Sequence, residues 1–181
     1  MSLNLREYES SLDRGANRSV ELLWTLLKHL FFMPSLPLPS ALRVSILRLF
    51  GAKIGKGVVI RSGVNITFPW KLKIGDNVWI GEQVMILNLA EVEIDSNCCI
   101  SQRAFLCTGS HDFRSPTFDL ITKPIHIRDG SWVSAQAFFG PGVKFGPNAM
   151  ACAGSVVVSD VSPDSIVRGN PAAPLKKPGT E

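Results

Sequence analysis

Beginning at Ile54, an aliphatic or aromatic side chain returns at every sixth position, and a small or branched residue follows many of these anchors four places later. The anchors run Ile54, Ile60, Ile66, Ile74, Ile80, Ile86, Ile94, Ile100, Leu106, Ile127, Val133, Phe139, Phe145, Ala151 and Val157. Such a fixed short period marks a solenoid. Dealt out in threes, the anchors form three columns: Ile54, Ile74, Ile94, Ile127, Phe145; then Ile60, Ile80, Ile100, Val133, Ala151; then Ile66, Ile86, Leu106, Phe139, Val157. These columns are predicted to be the inner walls of a triangular prism. Each short strand would pair in parallel with the strand one turn above, about 4.8 Å away, so that like residues stack into ladders. No single turn buries its own core, and the open ends need covers.

The register breaks after Ile66, Ile86 and Leu106, always at the same corner. An insertion there leaves the packed coil without displacing an inward side chain. Two breaks add a couple of residues; the third adds a long loop, residues 109–124, whose length makes it a candidate for function.

Ahead of the coil the pattern changes. Leu22, Leu23, Leu26, Leu27 and Leu30 make one apolar helical face, enlarged by Trp24, Phe31 and Phe32. Pro34, Pro37 and Pro39 break this helix, and Ser40 is expected to cap a second one reaching to Phe50. Three segments follow: an amino-terminal helical arm (1–50), the coil (51–174) and a carboxy-terminal tail (175–181). The arm is expected to cover the first coil. Shallow contact with a membrane surface, with Arg43 and Arg48 nearby, is the other reading. The apolar run is too short to cross a bilayer.

The chain of 181 residues suits one domain with an appendage, and 15 Gly with 12 Pro suit many tight corners. A net charge of +4 with scattered Lys and Arg gives little support to nucleic-acid binding. Cys98, Cys99, Cys107 and Cys152 show no metal-binding spacing and are expected to be buried free thiols of a reducing cytosol. The polar first nineteen residues do not read as a secretory signal, so a cytoplasmic location is expected.

A prism alone does not name a chemistry. Of the three histidines, His29 lies in the arm and His126 alternates with inward Ile125 and Ile127, whereas His111 sits where the long loop departs. Around it, Leu106-Cys107-Thr108-Gly109-Ser110-His111-Asp112 leaves space beside an imidazole. A histidine near neutral pKa can take a proton from an alcohol or amine as it attacks a carbonyl. Asn88, one turn below Thr108, is a candidate to orient the acceptor.

Residues 54–174 resemble the hexapeptide-repeat acyltransferases, and the whole chain resembles their colanic acid biosynthesis acetyltransferase group, near the maltose, galactoside and nodulation acetyltransferases. The resemblance rests on Ile74-Gly75-Asp76-Asn77-Val78-Trp79-Ile80-Gly81, Thr108-Gly109-Ser110-His111-Asp112, Ala153-Gly154-Ser155-Val156-Val157 and Gly169-Asn170-Pro171-Ala172. It implies an all-β solenoid, a left-handed parallel β-helix of about five to six coils with a helical arm. Left-handedness is an exception to the usual crossover rule and comes from the resemblance alone. It also implies a homotrimer with its sites at the subunit junctions, acetyl-CoA as donor and no metal.

Residue by residue, the resemblance gives His111 the part of general base. It places the pantetheine near Trp132, Ser134 and Ala135, the CoA arm near Ala153, Gly154 and Ser155, and Arg168 and Lys176 near the nucleotide phosphates. Acceptor contacts are expected in the long loop, from Asp112, Phe113, Arg114 and Phe118, alongside Asn88. Acetylation of a sugar hydroxyl in exopolysaccharide assembly follows, with a sugar or a lipid-linked saccharide at the inner membrane face as acceptor; the proline-broken apolar arm, unlike the cap of the maltose and galactoside group, speaks against a simple free sugar. The alternatives are N-acetylation of an amino sugar nucleotide, a prism-shaped carbonic anhydrase, and a structural prism without activity. The carbonic anhydrase needs three zinc-binding imidazoles, whereas the coil offers only His111 and His126.

Overall fold

The computed structural model of the chain describes residues 5–175. Very short parallel strands wind into a triangular solenoid of about six turns, the left-handed β-helix of this fold class. The first wall is built from Lys53–Ile54, Leu72–Ile74, Val92–Ile94, Ile125–Ile127 and Lys144–Phe145, with a bridge from Phe145 to Val161. The second holds Val59–Ile60, Trp79–Ile80, Cys99–Ile100, Trp132–Val133, Met150–Ala151 and Ile166–Gly169, the last of which turns back on Ala172–Pro174. The third holds Asn65–Ile66, Met85–Leu87, Phe105–Cys107, Phe138–Phe139 and Val156–Val157.

The register follows the three sequence columns. Ile54 pairs with Ile74, Ile74 with Ile94, Ile94 with Ile127, and Ile127 with Phe145. The other columns stack the same way, from Ile60 to Ala151 and from Ile66 to Val157. Two further anchors extend the pattern past its predicted end: Val161 on the first wall and Val167 beside Ala151 on the second.

Turning from wall to wall requires a left-handed backbone three places after an anchor, a conformation that costs most residues about 1–2 kcal/mol. At the corner between the first and second walls the chain supplies Gly57, Asn77, Asn97, Gly130 and Asn148, the residue types best suited to it. At the corner between the second and third walls it places Gly63, Gln83, Arg103, Gln136 and Gly154, so three long polar side chains occupy strained positions there.

The arm caps the open first coil. Helix α1 (Arg18–Phe31) starts at Asn17, whose side chain accepts from the Val20 N–H. Trp24 and Phe32 are buried, and the Trp24 indole donates to the Ile66 and Thr67 carbonyls at 3.1 Å. Helix α2 (Ser40–Leu49) buries Val44 and Leu47.

Three expectations for the arm are corrected. Ser40 is the first helical residue rather than a cap; its hydroxyl accepts from the Ile60 N–H at 2.7 Å and so ties α2 to the second wall. Arg43 does not reach outward, because it is buried and donates to the carbonyls of Phe31, Leu36, Leu38 and Ile60, holding the proline-rich linker. Arg48 likewise donates to the Ile54 and Gly55 carbonyls. The leucine face is split: Leu27 and Phe31 pack on the core, whereas Leu22, Leu23, Leu26 and Leu30 are exposed.

Candidate active site

All three insertions leave at the corner between the third and first walls. The first is a short 3-10 turn, Pro69–Lys71; the second spans residues 88–91; the third is the long segment after Cys107. That long segment is not an irregular loop but an antiparallel hairpin. Gly109–His111 pairs with Leu120–Thr122, setting Gly109 opposite Thr122 and His111 opposite Leu120. Its root is fixed by Thr108, fully buried, whose hydroxyl donates to the Leu87 carbonyl and accepts from the Ala90 N–H.

The hairpin presents His111 half-buried. Its Nδ1 lies 2.7 Å from the Phe118 carbonyl oxygen. A carbonyl only accepts, so Nδ1 carries the hydrogen and the neutral ring keeps its lone pair on Nε2. The Phe118 ring stacks on the imidazole at 4.2 Å and 5°. Phe118 itself has φ of +54°, rare for a bulky residue, so the stack is held by a strained backbone. The hairpin turn is tied by Ser115 and Thr117, which donate to Asp119 and hold its carboxyl below the usual range.

The other loop residues are arranged around themselves. Asp112 accepts from the Arg114 N–H, and the Arg114 guanidinium lies 5.5 Å from the centre of the exposed Phe113 ring. Asn88, the candidate to orient the acceptor, is tied to the backbone of the first insertion. Its side chain is 0 % exposed; Oδ1 accepts from the Phe68 N–H at 2.9 Å and Nδ2 donates to the Phe68 carbonyl at 2.6 Å. It brackets the first insertion. Cys107, the thiol nearest His111 in sequence, is buried with its Sγ against the Gly109 carbonyl at 3.1 Å.

The residues expected on the donor side lie elsewhere on the prism. Ser134, Ala135, Ala153, Gly154 and Ser155 cluster at the corner between the second and third walls, and Trp132 projects from the second wall, its indole donating to Ser101 Oγ at 2.9 Å. Within one chain this corner and the His111 hairpin are on opposite edges of the third wall. Ser134 and Ser155 are buried, yet neither hydroxyl has a partner, which is uncommon. Below Ala135 and Gln136 the corner opens into a groove of about 900 Å³, with Gln83, Gln102 and Arg103 on its wall and Met33 and Ser35 of the arm at its far end. Arg168 is exposed beside the terminal strand, and Lys176 lies outside the described residues.

Sequence reasoning missed Tyr8, the single tyrosine of the chain. Its ring meets the imidazole of His111 edge-on at 5.7 Å and 61°. A polar stretch ahead of the first helix carries no periodic signal, so nothing in the pattern placed it over the hairpin.

The other histidine of the coil, His126, is paired on the outside of the prism. His126 Nδ1 lies 3.0 Å from Glu93 on the outer face of the first wall, where Arg128 bridges Glu93 and Asp95. Among the described residues, no group of three or more His, Cys, Asp or Glu side chains is placed to hold a metal ion. Of the four thiols, Cys98 and Cys107 are buried, whereas Cys99 and Cys152 are partly exposed.

No family model matches the chain. It is 40% identical over 164 residues to WcaF of Escherichia coli (strain K12), named as a colanic acid biosynthesis acetyltransferase, covering 91% of this chain and 90% of that one. It is 24% identical to the galactoside O-acetyltransferase of the same organism over 138 residues, covering 75% of this chain and 68% of that one. Among solved structures, a hexapeptide-repeat acetyltransferase of Vibrio cholerae complexed with acetyl-CoA superposes with a TM-score of 0.81 at 27% identity, covering 90% of each chain. The chain therefore belongs to the hexapeptide-repeat acetyltransferases, in the colanic acid biosynthesis acetyltransferase group, and is an acyltransferase.

Proposed function

We propose that the protein transfers acetyl from acetyl-CoA to a sugar hydroxyl in exopolysaccharide assembly, with His111 as general base. The observation that carries this reading is the Nδ1 contact with Phe118, which leaves Nε2 as the free basic atom of an imidazole presented on a hairpin. In the transfer, Nε2 takes the acceptor proton as the hydroxyl oxygen attacks the thioester carbonyl. The C–S bond breaks, and the departing thiolate regains the proton from the imidazolium. Base catalysis of this kind contributes about 10²–10⁴-fold. No acyl-enzyme is required.

The acceptor class is supported by the relatives, one named for colanic acid biosynthesis and one for acetylating galactosides. The donor is supported by the acetyl-CoA complex of the Vibrio cholerae structure and by the unpartnered Ser134 and Ser155 hydroxyls at the second corner.

The outward faces of the walls support the reading of a homotrimer. The outer ladder of the second wall runs Val59, Trp79, Cys99, Trp132, Met150, Ile166, and the third runs Asn65, Met85, Phe105, Phe138, Val156; both are largely apolar. The first wall shows Lys53, Lys73, Glu93, His126 and Lys144. Neighbours covering the second and third walls would bring one chain's His111 hairpin to another chain's donor corner, which a single chain keeps apart.

Among the described residues no helix is long and apolar enough to cross a membrane. The exposed Leu22, Leu23, Leu26 and Leu30 support shallow contact with lipid instead. Flotation with anionic vesicles tests this, and a Leu22→Gln, Leu26→Gln variant that floats as well as the wild type would rule it out.

The deciding experiment is a calorimetric titration with acetyl-CoA on the wild type and His111→Asn. Binding at one site per chain, kept in the variant while transfer is lost, supports the reading. Loss of the acetylated product under mild alkali marks an ester; a product that survives marks an amide and N-acetylation. Absence of binding in folded wild-type protein would overturn the donor assignment.

A further inference from the structure

The stretch ahead of the first helix is clasped onto the insertion corner. The Trp70 indole donates to the Arg14 carbonyl at 2.6 Å, and the Lys71 ammonium donates to the carbonyls of Asp13 and, at 2.7 Å, of Leu89. The Arg14 guanidinium lies 5.2 Å from the centre of the Phe68 ring. Gly15 has φ of +75°, and a Cβ there would sit 3.0 Å from the Trp70 ring, so a side chain would force the two apart. The strap therefore crosses the first insertion on a fixed path, and towards its start the half-buried Tyr8 lies on the third, against His111.

The imidazole is bounded on three sides. Nδ1 donates to the Phe118 carbonyl at 2.7 Å, and the Phe118 ring covers one face with its centre 4.2 Å away. One hydrogen bond and one stack still let the imidazole swing away from Phe118. The Tyr8 ring, edge-on at 5.7 Å and 61°, cannot share the face that Phe118 fills, so it closes off another side. Edge-on contact is a favourable geometry for two such rings. The hairpin does not supply this third contact. It comes from a residue far away in sequence and depends on the clasp.

We propose that Tyr8 is a positioning residue for His111, keeping the Nδ1 hydrogen on the Phe118 carbonyl and so keeping Nε2 free to accept a proton. The inference rests on the reading of His111 as general base. The aromatic ring of Tyr8 plays this part and needs no hydroxyl for it. Gly15, Trp70 and Lys71 act at one remove, because they hold the strap and not the imidazole. The arm thus does two separable things: its helices cover the first coil, and the strap ahead of them aligns the base. A misplacement of about 1 Å can cost on the order of 100-fold in rate, so a loose imidazole impairs transfer even where the fold is intact.

The test uses the full-length protein and needs no acceptor. Nuclear magnetic resonance of imidazole labelled with nitrogen-15 reports which ring nitrogen carries the hydrogen, and the His111 signals are those missing from His111→Asn. In mildly alkaline buffer the wild type is expected to carry it predominantly on Nδ1. Tyr8→Ala should raise the share of the Nε2–H tautomer about three- to tenfold, the weight of one edge-on aromatic pair, and speed diethyl pyrocarbonate modification of His111 by a similar factor. Tyr8→Phe should restore both. Gly15→Ala should act in the same direction, and the double variant should be no worse than Tyr8→Ala, because Gly15 works through Tyr8. Both residues lie on the strap, so either variant tests the contact alone, with thermal melts confirming the fold and His126 as internal reference. Wild-type tautomer and labelling in folded Tyr8→Ala overturn the proposal, and so does additive loss in the double variant. A wild-type His111 with its hydrogen on Nε2 would instead strike the base reading on which the proposal rests.

Discussion

Phe118 holds His111 twice, accepting from Nδ1 through its carbonyl and stacking its ring on the imidazole, and it does so from a left-handed backbone that phenylalanine rarely adopts. Strain of this kind costs about 1–3 kcal/mol and persists where the surroundings enforce it. Phe118→Gly should therefore relieve strain while removing the stack. Thermal stability is expected to hold or rise, and transfer to fall about tenfold or more through a misplaced base. A variant that is both stable and fully active would show that the stack does not position His111.

The coil was readable because a six-residue period leaves one inward position per strand, and each strand must repeat its neighbour's choice. Ile54, Ile74 and Ile94 stack as the spacing predicts. His111 was readable because its corner is where the register breaks. Tyr8 was not, since a contact between residue 8 and residue 111 depends on the clasp by Trp70 and Lys71, which local sequence does not encode. The partners of Asn88 were not readable for a related reason: its polar side chain at a corner suggested a ligand, whereas the contacts it makes in the structure are with the backbone of Phe68. The leucine face of α1 was read as one surface because helical periodicity marks apolar positions without saying which of them meet the coil.

Asn88→Ala separates structure from binding. It leaves the Phe68 N–H buried without its partner at about 1–3 kcal/mol, while the Phe68 carbonyl keeps the Lys71 N–H at 3.0 Å. Urea unfolding should report a loss of about 1–3 kcal/mol. The folded fraction should keep its acceptor KM. A raised KM without loss of stability would restore Asn88 to the site.

Cys98 should be chemically silent. Burial in the core pushes its thiol up to about 11, against a backbone N–H from Ser131 that pulls the other way. Since the thiolate is the reactive form, little is present at neutral pH. Mass mapping after iodoacetamide treatment of native protein should find Cys98 unmodified and Cys152, which is partly exposed and outside the two ladders, modified first. Labelling of Cys98 at the rate of the exposed thiols would mean the coil opens locally.

The ionic outer ladder of the first wall should set the acid limb of stability. The hydrogen bond from His126 is the main cause holding the Glu93 carboxyl below its ordinary value of 4.5, with Lys73 and Arg128 adding to it. A carboxyl whose folded pKa is depressed binds more protons when unfolded. Its contribution is therefore complete above about pH 4.5 and is lost as pH falls through the lower folded value. The ladder is partly exposed, so the effect is modest, up to about 1 kcal/mol. Urea midpoints of wild type and Glu93→Gln, compared from pH 7 down to pH 3, should differ most near neutrality and converge at the acid end. A gap that stays constant across the range would place the stability of this wall in its inward isoleucine column rather than in its charges.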